Sequence, residues 1–184
     1  RSDMASIVDS LVAPLSVVNA LIVALCMKKK DKVINNLEAQ VKMQTKELVK
    51  DIKQLAKENR DYVISLRRHF HQYPELSMEE YETSKKVKEE LDKMGIEYRS
   101  AANTGIIATI KGDKPGKTIA LRADMDALPM GEESGEEFAC PTGKTAHTCG
   151  HDFHAAMLLT AARMLKENED ELEGTVKLMF QPAE

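Results

Sequence analysis

Beyond about residue 60 the sequence predicts an α/β layer in which helices pack on a largely parallel sheet, and three observations carry that expectation. Strand-like runs alternate with helical ones, and turn residues mark each change of period. The residues able to do chemistry gather just after strands or at helix starts, where open α/β folds place their sites. The 184 residues leave room for one domain, or one and part of another. A composition 42% hydrophobic and 30% charged can bury a core, which excludes wholesale disorder and a fibrous repeat.

Taken in order, residues 5–27 are mostly apolar and are followed by Lys28, Lys29, Lys30 and Lys32. A run of about twenty such residues can cross a bilayer, and the trailing lysines would keep the following chain on the cytoplasmic side. Asp9, Pro14 and Asn19 interrupt the run, so a buried or interfacial helix is the alternative. A secretory signal carries its positive charge before the apolar run, the reverse of the order here. Arg1-Ser2-Asp3 ahead of Met4 reads as a cut or a cloning scar. From Val33 to about Lys57, Ile34, Leu37, Val41, Leu48, Ile52 and Leu55 recur at helical spacing and paint one apolar stripe, with Lys and Glu forming a solvated face. The apolar segment is thus expected to run into an amphipathic helix, with the globular part after it.

In the globular part, a helix through Asp61–Phe70 should end before Pro74. A second helix should open at Ser77, where Ser-Met-Glu-Glu forms a capping box with Glu80, and close at Gly95. Strands are expected at Ile96–Arg99, Gly105–Ile110 and Thr118–Arg122, with Gly112–Gly116 as the turn between the last two. A long loop then leads to a helix from about Phe153 to Lys166 and a strand from Thr175 to Phe180.

Net charge −4 removes the basic face that phosphate contacts need, so nucleic acid is excluded as a partner. The absence of Trp, with only four Phe and four Tyr, argues against a base-stacking platform. Three cysteines, at 26, 140 and 149, are too few and too scattered for a disulfide framework, which points to a reducing, cytoplasmic setting.

Three clusters follow strands or open a helix: Arg122–Pro129, His147–His154 and Phe180–Glu184. The middle one offers a thiol, three imidazoles and a carboxylate, with Gly150 letting ligands two apart converge. Cys149 and His151 are its candidate metal ligands, because the dipole of a helix starting near Asp152 favours the thiolate; a structural histidine is the alternative. Asp124 and Asp126 share a face if their strand is regular, and either flank a metal or cap backbone amides in a turn. Glu184, placed by a strand and Pro182, could take a proton from metal-bound water. His69 and His71, two apart on a helix, point in different directions and read as structural. Cys140 has no ligand partner at suitable spacing.

Arg67-Arg-His-Phe-His-Gln-Tyr-Pro-Glu-Leu-Ser, Leu121-Arg-Ala-Asp-Met-Asp-Ala-Leu-Pro, His147-Thr-Cys-Gly-His-Asp-Phe-His and Phe180-Gln-Pro-Ala-Glu together resemble the N-terminal half of the catalytic domain of the metal-dependent amidohydrolases. That group holds hippurate hydrolase, indole-acetyl-amino-acid hydrolase and N-acyl-amino-acid amidohydrolase, within a larger metallopeptidase family. The resemblance covers residues 46–184, the N-terminal part of that catalytic domain, leaves residues 1–45 as an N-terminal extension, and implies a phosphorylase/hydrolase-like mixed sheet flanked by helices, incomplete over this stretch. It also implies hydrolysis of N-acyl amino acids or small peptides at two divalent ions, zinc or manganese, and a homodimer for the full-length protein. By the same resemblance Cys149 and His151 fall on metal ligands, Glu184 on the general base and Asp126 on the carboxylate beside the ions. Asp124, Asp152 and His154 fall on positions that support the ligands from behind.

The chain stops at the general base, before the second glutamate, the later histidine ligands and the dimerising domain that the resemblance implies. Alone it is expected to bind metal weakly and hydrolyse little. Two other expectations stand beside the enzyme: a non-catalytic remnant of the same fold, and a membrane-tethered or interaction protein acting through residues 5–57.

Overall fold

A computed structural model describes residues 52–183. The apolar segment 5–27, most of the amphipathic stretch and Glu184 lie outside the described residues. Among those described, no helix is long and apolar enough to cross a membrane.

Helix α1 (Arg60–Gln72) buries Val63, Leu66 and Phe70, spaced three and four apart as an amphipathic stripe requires. It stops as predicted, with the Tyr73 N–H donating to the carbonyls of His69 and Phe70 just ahead of Pro74. Helix α2 (Tyr81–Lys93) starts three residues later than the capping box implied, with Glu80 rather than Ser77 at its N-cap. The box does not form. The Ser77 hydroxyl donates instead to Asp126 Oδ2 at 2.6 Å, and Glu80 is fully buried among other partners. The first amides of α2 are capped by Glu75, whose carboxylate accepts from the N–H groups of Glu82 (3.1 Å) and Thr83 (2.7 Å). The helix closes at Gly95 as expected. Gly95 N–H donates to Asp92 O and Ile96 N–H to Leu91 O, both at 3.0 Å, and buried Ile96 packs in the same core as Leu91.

Strands β1 (Glu97–Ala101), β2 (Gly105–Lys111), β3 (Lys114–Asp124) and β4 (Glu173–Gln181) make one sheet in the order β1-β2-β4-β3. The largely parallel sheet expected from alternation is corrected here. β1 pairs antiparallel with β2 and β2 with β4, and only β3 and β4 run parallel. Connection length is the reason. The turn between β1 and β2 is far too short for a crossover, whereas the path from β3 to β4 carries helix α3 (His151–Glu167) and can return the chain in the same direction. The predicted turn at Gly112–Gly116 is also shorter than expected, because β3 already begins at Lys114 and absorbs a register shift before Thr118.

Ile106, Ala108 and Ile110 of β2 and Val176, Leu178 and Phe180 of β4 alternate into one core with the helices. Helix α3 is inserted along that face on Ala155, Ala156, Leu158, Leu159, Ala161, Ala162 and Leu165; the alanines permit close approach. This unit brings the C-terminal ends of β3 and β4 to the N-terminal end of α3, and the site sits there.

Candidate metal centre

Asp124 is the last residue of β3, and Met125 N–H donates to Gln181 O (3.0 Å), tying the strand's exit to the end of β4. Met125 is fully buried in the core, so Asp124 and Asp126 turn together toward α3. Gly150, in the left-handed region at φ +79°, lets the loop turn into α3 one residue ahead of His151.

His151 is buried, and its Nδ1 lies 2.9 Å from both Oδ1 and the main-chain oxygen of Asp126. With Nδ1–H directed at Asp126, the lone pair of a neutral ring sits on Nε2, which is how imidazoles are held for metal ligation. His154 lies one turn along the same helix face, its ring 5.2 Å from that of His151 and its Nδ1 3.5 Å from Asp124 Oδ2. Asp124 is also held by the Arg122 guanidinium. Ligand atoms of Asp124, His151 and His154 lie within 4.8 Å of one another, and no other group of this kind is found among the described residues. Cys149 is exposed at the turn leading into α3 and is not part of that group. The donor set, two imidazoles and a carboxylate with a thiol at the helix mouth, fits a divalent metal ion.

Asp152 faces the other way. Its buried carboxylate accepts from Arg67 Nε (3.1 Å) and lies 2.7 Å from His71 Nδ1, while His71 Nε2 lies 2.8 Å from Glu132 Oε1. Burial pushes the His71 pKa down, but the two carboxylates outweigh it and raise it, which favours the ring form that donates through both nitrogens. Burial likewise works to raise Asp152 and Glu132, and the hydrogen bonds win in both, lowering them. The Arg67 guanidinium stacks on Phe138 and Phe153, 4.9 and 4.5 Å from their ring centroids. His147 is buried beside these groups with neither ring nitrogen hydrogen-bonded, and burial holds its pKa down at about 4, so the ring is neutral.

The structure therefore brings Asp124, Asp126, His151 and His154 together at one end of the sheet and turns Asp152 toward α1. Arg67, His71, Glu132, Ser77 and His147 surround the site without having been assigned to it by the sequence. Arg67 and His71 carried a signal, being four apart on one helix. Glu132 and Ser77 carried none, because their partners are remote in sequence.

Residues 120–184 match the family model described as Peptidase family M20/M25/M40. Thermostable carboxypeptidase 1 of Saccharolobus solfataricus is 48% identical over 140 residues, 75% of this chain and 36% of that protein. N-acetyl-L-cysteine deacetylase of Bacillus subtilis is 53% identical over 123 residues, 66% of this chain and 30% of that protein. The chain thus spans about a third of the length of these relatives. In structure it resembles a Bacillus subtilis protein described as a dinuclear metal binding peptidase from the M20 family, with TM-score 0.64 and 46% identity over 66% of this chain and 34% of that one.

Proposed function

We propose that this chain, whose residues 120–184 match the model of peptidase family M20/M25/M40, is part of an enzyme that hydrolyses the amide bond of N-acyl amino acids or small peptides. The observation that carries this reading is His151, gripped through Nδ1 by Asp126 beside Asp124 and His154. Residues 46–184 supply the catalytic portion and residues 1–45 an extension.

Cys149 and His151 would hold divalent ions, zinc or manganese, which when bound polarise the amide carbonyl and acidify water. Asp126 fixes the His151 ring and its tautomer. Asp124 adds negative charge that favours cations at this end of the sheet. Glu184, the residue that follows Ala183, removes a proton from the attacking water and later delivers it to the leaving nitrogen. The substrate is a small molecule, the full-length protein a homodimer, and the compartment the cytoplasm, with contact to a membrane face only if residues 5–27 provide it.

The test is release of amino acid from N-acetyl-L-methionine and hippurate by the full-length protein, before and after removal of metal by a chelator. The expected result is turnover that is lost with the metal and restored by zinc or manganese. A metal-replete full-length protein inactive on every N-acyl amino acid and dipeptide tried would instead favour a non-catalytic remnant.

A further inference from the structure

We infer that Glu80 is a positioning residue for the general base, holding in place the backbone on which Glu184 is mounted. This rests on the assignment of Glu184 proposed above. As a member of a capping box Glu80 would be a surface residue reaching back to its own helix. In the fold it is fully buried, and its carboxylate is divided among three segments. Oε1 accepts from the N–H of Met78 (2.8 Å) and the N–H of Ala183 (3.2 Å), and Oε2 accepts from the Thr104 hydroxyl in the turn between β1 and β2. Ala183 is 103 positions away in sequence and directly precedes Glu184.

The segment that Glu80 holds is otherwise costly to maintain. Ala183 has φ +52°, in the left-handed region that a residue with a Cβ seldom adopts. Such a conformation persists only where its surroundings over-determine it, and it clusters where side chains must be aimed. Here the surroundings are specific. Pro182 is buried against Gly105, where a Cβ would stand 2.8 Å from Pro182 Cδ and 2.7 Å from Ala101 O. The Gln181 amide donates to the carbonyl of Pro182 at 2.9 Å. Gln181 O in turn accepts from Met125 N–H, one residue from Asp126. Glu80 supplies the acceptor for the Ala183 N–H at the end of this chain of contacts, so it fixes the residue from which the chain continues into Glu184.

The test uses the full-length, metal-loaded protein with N-acetyl-L-methionine, and compares Glu80→Ala, Glu80→Gln and Glu184→Ala. A displaced base costs on the order of 10- to 100-fold in kcat. Glu80→Ala is expected to show that loss with KM and bound metal nearly unchanged. Glu80→Gln, whose Oε1 can still accept from both amides, is expected to recover most of it. Amide exchange supplies a readout independent of turnover: the Ala183 N–H should be protected in the native protein, and in Glu80→Ala it should lose protection while the core amides of β4 keep theirs. If Glu184→Ala is inactive but Glu80→Ala turns over like the native enzyme, or if Ala183 exchanges freely in the native protein, the positioning role is overturned while the base assignment stands. If Glu184→Ala remains active, the base assignment itself fails.

Discussion

Asp126 touches His151 through two oxygens and is itself fixed by the Ser77 hydroxyl, so the orientation of the His151 ring depends on both residues. Asp126→Ala should lower metal affinity about 10- to 100-fold, measured by competition with a chromophoric chelator, with little change in fold. His71 has a different consequence. Removing it leaves the buried Asp152 carboxylate with one of its two cationic partners, and His71→Ala should destabilise the protein by about 3 kcal/mol in urea titration. The sequence reading of His71 as structural rather than metal-binding agrees with this surround. Its spacing from Arg67 was legible, but its partners Asp152 and Glu132, 81 and 61 positions away, were not. Asp124 and Asp126 were legible as a pair, since strand alternation is a local rule that survives any tertiary arrangement.

Helix α2 shows where local rules were overridden. Ser77 and Glu80 have the spacing of a capping box, but each found a partner elsewhere in the fold, Asp126 and Ala183, and Glu75 took over the amides. Glu75→Ala should therefore cost about 1 kcal/mol in chemical denaturation, the ordinary loss for a helix N-cap, whereas a capping box would have been indifferent to that change. The same helix carries a pH signature. Burial works to raise the Glu90 pKa, but hydrogen bonds from Lys86, Lys93 and Tyr62 hold it down at about 2. A carboxylate depressed in the folded state stabilises fully above its ordinary value near 4.5, and that stability is lost as pH falls toward about 2. Glu90→Gln should flatten the acid limb of Tm against pH between those values and leave the slope above pH 6 unchanged. The ends of α1 and α2 were readable because Pro74 and Gly95 act locally.

On the scale of the whole molecule, the β3–α3–β4 unit places two strand ends against one helix start, and β4 lies between β2 and β3. Strand order is a non-local property, so the alternation of strands and helices suggested the right class but overstated the parallel pairing. The resemblance implied the mixed sheet that the fold has. Leu159, fully buried on α3 where it meets the core, tests the unit as a whole: Leu159→Ala should cost about 3 kcal/mol, against less than about 1 kcal/mol for Leu128→Ala, which is 38% exposed. If divalent metal is held where β3 ends and α3 begins, elemental analysis of the full-length protein will find it. The native protein should carry the two ions of a dinuclear site like that of its Bacillus subtilis relative, and His151→Ala should lose at least one while remaining folded. Equal zinc and manganese content in the native protein and in His151→Ala would contradict it.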